Sequence, residues 1–155
     1  MCIRDRYYDE GIYVGYRWFN TKALAPQFPF GFGLSYTTFK YGKPTLSAQT
    51  MDKNGKITLS VAVTNTGRMA GKETVELFIG DDKCSEERPK KELKNFAKVA
   101  LAPGETKTVS FDITSSDLEY WSERTHGFVA ESGTFTAYVC ASETDVRQMA
   151  KFELK

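Results

Sequence analysis

Hydrophobic and polar residues alternate along much of the chain after residue 41. In residues 57–63 an aliphatic side chain stands at every second position, and residues 106–114 repeat the pattern with Val109, Phe111 and Ile113. A period of two is typical of a β-strand that buries one face, so we predict a strand in each segment. The predicted core positions of the first strand are Ile57, Leu59, Val61 and Val63.

Further short apolar segments follow at even spacing, with turn-forming residues between them. The predicted strands span residues 43–49, 75–79, 93–101, 119–121, 128–130, 133–140 and 148–154. Turns are predicted at Asn54-Gly55, 102–105 and 125–127, and residues 115–118 fit one helical turn. Short strands with turns between them, and almost no helical period, predict an antiparallel β-sandwich from about Tyr41 onward.

An aromatic segment precedes this pattern. In residues 7–20, YYDEGIYVGYRWFN, alternation places Ile12, Val14 and Tyr16 on one side, which favours an extended conformation. Residues 29–39, PFGFGLSYTTF, then combine aromatic rings with glycine and proline, as in a packed seam. An isolated strand is not stable in water. We therefore predict an extended aromatic arm that docks on the following domain or on a domain outside this sequence.

The first six residues, MCIRDR, match nothing that follows them. They show neither strand alternation nor a helical period. We interpret them as foreign to the fold, or else as a frayed terminus, and we exclude them from the fold prediction.

The charge balance argues against several classes of partner. The chain of 155 residues has 21 Lys and Arg against 20 Asp and Glu, a formal net charge of +1. Nucleic acids and anionic membranes select concentrated basic surfaces, so neither is an expected partner. Residues 88–94 form the one basic cluster, and Pro89 and Glu92 interrupt it, which favours a solvated loop. No apolar run approaches the ~20 residues that span a bilayer, and no signal-peptide pattern is present.

Histidine and cysteine do not form a recognisable site. His126 is the only histidine and stands in a His-Gly turn, so a turn residue is the favoured interpretation over a proton shuttle. The three cysteines, Cys2, Cys84 and Cys140, have no metal or redox spacing. Cys140 is expected to be a small core residue, and a disulfide between Cys84 and Cys140 is an alternative. Zinc would need more ligands than these.

Paired carboxylates are also uninformative. Glycoside hydrolysis needs two carboxyl groups on opposite sides of one bond. The pairs at 9–10 and 86–87 are adjacent and would point to opposite faces of an extended chain. Asp81-Asp82 could bind calcium, but further oxygen ligands are not evident. We therefore predict no catalytic residue, no metal ligand and no cofactor site.

Two motifs in the arm carry a family resemblance. EGIYVGYR at residues 10–17 and FPFGFGLSYTTF at 28–39 strongly resemble the C-terminal part of family 3 glycoside hydrolases, the β-glucosidases and their relatives. Later segments look like the fibronectin type III-like domain that closes those enzymes. These are residues 63–67, Gly71, 88–89, 91–94, 101–104, 133–135 and 138–139.

The resemblance implies a domain organisation without a catalytic residue. In that family the nucleophile and the acid/base carboxylate belong to upstream domains, so no catalytic residue is carried over. Residues 7–40 would be the tail of an α/β sandwich domain and a connector, and residues 41–155 the fibronectin type III-like domain. The partners implied are the upstream catalytic domains and, for the parent enzyme, its carbohydrate substrate. The arm would contact those domains through Tyr13, Tyr16, Trp18, Phe19, Phe30, Phe32 and Tyr36.

Three functions remain open at this stage. The leading hypothesis is a non-catalytic C-terminal segment of a β-glucosidase-type hydrolase that braces the catalytic domains, with loop 83–91 helping to shape the active-site mouth. The alternatives are a stand-alone carbohydrate-binding module and a structural fibronectin-like module. In a carbohydrate-binding module Tyr120 and Trp121 would stack on sugar rings, although core positions on a short strand are the favoured interpretation. Cytoplasm, periplasm and secretion are all compatible with the sequence.

Overall fold

Two β-sheets pack face to face in the structure, a computed structural model that describes residues 9–155. The hexapeptide interpreted as foreign lies outside the described residues. The strands are β1 (Phe39–Tyr41), β2 (Thr45–Leu46), β3 (Thr50–Met51), β4 (Lys56–Asn65), β5 (Gly71–Asp81), β6 (Glu92–Leu101), β7 (Thr106–Thr114), β8 (Tyr120–Ser122), β9 (Gly127–Val129), β10 (Gly133–Cys140) and β11 (Val146–Leu154). A 3-10 turn (Gly11–Tyr13) and two short helices, α1 (Tyr16–Thr21) and α2 (Ser115–Leu118), complete the fold.

The topology is that of a fibronectin-like sandwich. In the first sheet β4 lies between β7 and an edge formed successively by β1 and β2. The second sheet has the order β3-β11-β10-β5-β6, in which only β3 and β11 run parallel. Strands β8 and β9 form a separate hairpin. The predicted antiparallel β-sandwich is confirmed.

The core lies between the two sheets, as the alternation predicts. Ile57, Leu59, Val61 and Val63 of β4 are all almost fully buried. On the opposing sheet Phe135 and Phe152 stack with ring centroids 5.8 Å apart. Burial of such side chains is the main favourable contribution to folding.

Strand β5 departs from simple alternation because both of its faces are covered. Residues 75–80 are buried without a break. Val75, Leu77 and Ile79 face the core, whereas Glu76 and Phe78 lie on the other side of the sheet. The outer side is covered by the arm, where the Tyr16 ring meets Phe78 edge-on at 5.7 Å. This contact positions the arm on the sandwich.

The predicted turn and helix between strands are present. The Gly55 N–H donates to the Asp52 carbonyl at 2.8 Å, so Asn54 and Gly55 occupy the last two positions of the turn. Helix α2 begins after Thr114, whose backbone N–H donates to Asp117 Oδ2 at 2.8 Å. This reciprocal contact satisfies a free donor at the helix start.

The prediction of an extended arm is wrong for its first part. Residues 11–13 form a 3-10 turn and Tyr16–Thr21 is a helix. A helix places residues four apart on one face, and here Tyr16 and Asn20 both reach the sandwich from α1. Contact with the sheet therefore overrides the weak local preference of the aromatic residues for extended structure.

Candidate interdomain surface

Helix α1 fixes the inner face of the arm on the second sheet. The Leu93 N–H, on β6, donates to the Tyr16 hydroxyl oxygen at 2.8 Å. Arg17 pairs with Glu92 on the same strand at 3.3 Å. The Tyr16 ring also contacts Phe30, with centroids 5.2 Å apart. One turn of helix is thus held by a hydrogen bond, an ion pair and two aromatic contacts.

A buried polar cluster joins the arm to the sandwich beneath Phe30. The Glu143 N–H donates to the Phe30 carbonyl at 2.8 Å, and Asn20 Nδ2 donates to Glu143 Oε1 at 2.5 Å. Lys91 Nζ lies 3.4 Å from the same carboxylate oxygen and also donates to the Glu143 carbonyl. Since an unpaired buried charge is costly, Lys91 and Glu143 depend on each other for their burial.

Glu76 is the second carboxylate of this polar cluster and lacks a full set of partners. Its side chain is only 4% exposed, and its Oε2 has no hydrogen-bond partner among the described residues. The pKa of Glu76 is raised to about 7, mainly by burial and also by repulsion from Glu143, while Lys91 opposes the shift. The neutral form of Glu76 avoids both the burial of a charge and the repulsion from Glu143.

Gly31 lets the arm close over Glu76. Its φ of +79° lies in the left-handed region, which a residue with a side chain rarely adopts. A Cβ at this position would stand 2.3 Å from Glu76 Oε1. The glycine therefore serves both the backbone turn and the close approach to the carboxylate.

The connector after the arm is seated on the turn between β4 and β5. Thr37 Oγ1 donates to the buried Asn65 Oδ1 at 2.6 Å, and the Thr66 N–H donates to the Thr38 carbonyl at 2.8 Å. A Cβ on Gly67 would lie 2.2 Å from Thr37 Oγ1. The small residues of this turn thus leave room for the connector, which orients the arm before β1 begins.

The outer face of the arm is apolar and exposed. Phe28 and Phe32 contact each other at 5.3 Å, while Leu34 and Tyr36 are 91% and 98% exposed. The exposed apolar side chains of the arm are Ile12, Val14, Phe19, Leu24, Phe28, Phe30, Phe32, Leu34 and Tyr36. We call this set the outer face. Exposed apolar side chains concentrated in one segment are typical of a protein contact.

Hydrogen bonding in the arm is less complete than in the sandwich. Within residues 9–155, five buried side-chain polar atoms have no partner, and four of them belong to the arm. They are Tyr13 Oη, Arg17 Nε, Asn20 Oδ1 and Thr21 Oγ1. Native proteins pair most of their buried polar groups. Among the described residues, the hydrogen-bonding groups of the arm are therefore less completely paired than those of the sandwich.

The seven aromatic residues predicted for an external contact divide into two groups. Phe19, Phe30, Phe32 and Tyr36 are exposed, whereas Tyr13, Tyr16 and Trp18 are partly covered. Tyr16 packs on this chain's own sandwich through its ring and hydroxyl, and its contact with an external partner stays a prediction. Tyr16 covers Phe78 of β5.

The basic cluster predicted as a solvated loop is largely committed to ion pairs. Lys91 is buried on Glu143, and Arg88 pairs with Asp81 at 3.5 Å and Glu92 at 3.2 Å. The last three residues of the cluster belong to the edge strand β6, which begins at Glu92. The prediction of solvation is therefore wrong for both cations.

The other candidate residues lie in ion pairs, as free thiols or in a turn. Asp82 binds Lys151 at 2.7 Å and Asp81 pairs with Arg88, so both carboxylates proposed for calcium already face cations. Cys84 and Cys140 are free thiols, and the alternative of a disulfide is wrong. His126 lies in the exposed turn before β9 with φ of +51°, as expected of a turn residue.

Neither a metal cluster nor a membrane helix emerges from the described part of the chain. Residues 9–155 contain no group of three or more histidine, cysteine or carboxylate side chains placed to hold a metal ion. In the same range no helix has the length and apolar character needed to cross a membrane.

Sequence analysis missed the polar cluster of Glu76, Lys91 and Glu143. These residues come from separate parts of the chain, and only folding brings them together. One local signal was available, since Glu76 interrupts the otherwise apolar run of residues 75–79. A charged residue inside a buried strand requires a partner, and Gly31 in the arm marks where the covering chain approaches.

Comparison with known proteins agrees with this architecture. Residues 73–143 match the family of fibronectin type III-like domains. A β-glucosidase of Bacteroides ovatus is 53% identical over 94% of this chain and 20% of its own length. A β-xylosidase of Formosa agariphila is 50% identical over 76% of this chain and 16% of its own length.

A solved structure extends the agreement to three dimensions. The family 3 glycoside hydrolase β-glucosidase of Bifidobacterium adolescentis superposes with a TM-score of 0.88 at 37% identity, over 95% of this chain and 21% of that chain. The chain spans about a fifth of the length of the curated β-glucosidases that it matches. It contains the fibronectin type III-like domain, and it corresponds to the C-terminal part of the family 3 glycoside hydrolases of the β-glucosidase type.

Proposed function

We propose that this chain is the non-catalytic C-terminal segment of a β-glucosidase-type hydrolase and braces the catalytic domains of the parent enzyme. In this proposal residues 7–40 are the tail of the preceding α/β domain with its connector, and residues 41–155 are the bracing domain. The parent hydrolyses O-glycosyl bonds, and its carbohydrate substrate binds to the upstream domains.

The two-faced arm is the observation that carries the proposal. Its inner face is held on the sandwich by Tyr16, Asn20 and the Phe30 carbonyl. Its outer face presents apolar side chains that no described residue covers, including Leu34 and Tyr36. A segment bound on one side and apolar on the other is suited to transmit a rigid contact between two domains.

Complementation of a truncated relative tests the proposal. The Bacteroides ovatus β-glucosidase, lacking the region that aligns with this chain, would be mixed with this chain in stoichiometric excess. Binding to the folded enzyme should raise its Tm and restore hydrolysis of an aryl glucoside, because a bound partner stabilises the native state. Binding of a hydrophobic dye to the outer face should fall in the same mixture.

Matched variants separate a specific contact from general stickiness. Replacing Phe32, Leu34 and Tyr36 with serine should abolish complementation, whereas Phe96→Ser should retain it. Phe96 is 64% exposed on β6, belongs to the sandwich and is not one of the outer-face residues. Equal complementation by both variants, or none by the unmodified chain, would reject the arm as the bracing contact.

A further inference from the structure

The β8–β9 hairpin carries a second exposed aromatic surface. Trp121 and Phe128 are paired across the hairpin, and their rings meet edge to face with centroids 5.4 Å apart. They are 50% and 70% exposed. The favoured sequence interpretation, which placed Trp121 in the core, is therefore wrong. A half-exposed tryptophan side chain is a candidate for ligand contact.

Side-chain contacts of Tyr120 and Ser122 hold the hairpin in place. The Tyr120 hydroxyl donates to Glu131 Oε1 at 2.9 Å, and the Arg88 guanidinium lies over the Tyr120 ring at 4.8 Å. On the other side Ser122 Oγ donates to Glu86 Oε1 at 2.5 Å. These contacts hold Trp121 between two anchored neighbours, so the aromatic surface is formed before any ligand arrives.

An open cleft of about 590 Å³ lies beside this aromatic pair. Its walls are the hairpin, the loop before β6 and, from the arm, Ile12 and Arg17. A volume of this size falls in the range of small-molecule sites, about 300 to 1,000 Å³. The cleft is thus large enough for one or two sugar rings, with Trp121 at its side.

The polar groups of the cleft favour a neutral polyhydroxyl ligand. Five glutamates and three cations, Arg17, Arg88 and Lys94, line it, so carboxylates are in excess. Glu119 and Glu123 form no ion pair with another described residue. Carboxylate oxygens accept hydrogen bonds from hydroxyl groups and repel phosphate and other anions. An aromatic ring offers an apolar face for the C–H surface of a pyranose. Aromatic and carboxylate groups together therefore match a sugar better than an anionic or purely apolar ligand.

We propose that the cleft binds a neutral oligosaccharide, with a sugar ring stacked on Trp121, Phe128 supporting that ring's edge, and Glu119 and Glu123 accepting its hydroxyl groups. Of the outer-face residues of the arm, Ile12 alone lines the cleft, and Phe32, Leu34 and Tyr36 do not. The choice of β-linked glucose and xylose oligomers as probes rests on the proposed function. The binding itself is a property of this chain alone.

Tryptophan fluorescence of the isolated chain tests the site. The chain has two tryptophans, so the Trp18→Phe variant reports on Trp121 alone. Titration with cellotetraose or xylotetraose should give a saturable change in emission. Trp121→Ala, followed by protein NMR, should bind at least tenfold more weakly and Phe128→Ala severalfold more weakly, whereas Phe96→Ala should bind like the unmodified chain. Unchanged Tm values would show that the variants fold.

Three results would overturn the proposal. The first is the absence of saturable binding with either oligosaccharide. The second is equal affinity for the unmodified chain and Trp121→Ala. The third is an equal change in emission with inorganic phosphate, which would contradict the preference for a neutral ligand. Failure of the titration leaves complementation through the arm unaffected, and failed complementation leaves the sugar site standing, so the two proposals can be told apart.

Discussion

The sandwich and the arm use the same kinds of aromatic and aliphatic residue, but they bury them differently. In the sandwich, Phe135 and Phe152 stack inside the core and are almost fully buried. In the arm, Phe28 and Phe32 form a similar pair that remains exposed. The aromatic residues of the sandwich are buried by other residues of the sandwich. Several aromatic residues of the arm have no described residue that covers them. Stability should therefore be concentrated in the sandwich and docking specificity in the arm.

The largest expected effect comes from breaking the core. Phe135→Ala should lower the free energy of unfolding by about 3–5 kcal/mol, because it removes a buried ring and leaves a cavity. Phe96→Ala, at a position 64% exposed on the same sheet, should change it by about 0.5 kcal/mol or less. Urea denaturation followed by circular dichroism measures both. A similar loss for the two variants would contradict the location of the core.

Replacing Gly31, whose φ is positive, should detach the arm from the sandwich and leave the sandwich folded. Gly31→Ala imposes a strained φ and a contact with Glu76, which together should cost roughly 1–3 kcal/mol. The Leu93 and Glu143 amides donate to Tyr16 and Phe30 of the arm, so both should lose protection in hydrogen exchange.

Gly33 provides the matched control for this test. A Cβ on Gly33 would meet nothing within 4 Å, and its φ is not in the left-handed region. Gly33→Ala should therefore leave both amides protected. If Gly31→Ala instead exposes the amides of β4 and β7 as well, the arm and sandwich unfold as one unit, and the contrast between them fails.

Sequence alone predicted the strands whose burial follows the alternation of hydrophobic and polar residues. Alternation was sufficient for β4 and β7 because one face of each strand meets the core and the other meets solvent. It failed at β5, where residues 76 and 78 are covered by the arm, and at Trp121, whose hairpin stands off the sandwich. Glu143 and Asn20 are 123 positions apart, and no local pattern links such residues.

The docking of the arm should also depend on pH through Glu76. Its pKa is about 7 in the folded chain against an ordinary value of 4.5, so between these values the folded state binds more protons than the unfolded state. The free energy of unfolding must then fall as pH rises through this window. At about 1.4 kcal/mol for each pKa unit, the decrease is on the order of 3 kcal/mol.

Denaturation at several pH values in the Glu76→Gln variant isolates this effect. Glutamine stays neutral, so the variant should lose this contribution and become more stable than the unmodified chain above pH 7. Glu73 also has a raised pKa because of burial, and it titrates equally in both proteins. The difference between the two curves therefore reports on Glu76, and parallel curves would show that its carboxylate is not held in the polar cluster.

The smallest change in stability is expected at the capping contact of α2, a contact that α1 in the arm lacks. Helix α2 begins with the Thr114 and Asp117 contact, whereas α1 begins after Gly15 with no side-chain cap. Asp117→Ala should cost about 1 kcal/mol by freeing the Thr114 N–H, and Asp117→Asn, which keeps an acceptor oxygen, should cost less. Thermal denaturation compares them. Equal losses would show that the carboxylate's charge, rather than its hydrogen bond, stabilises α2, and the sandwich would then depend less on local capping than its sequence indicates.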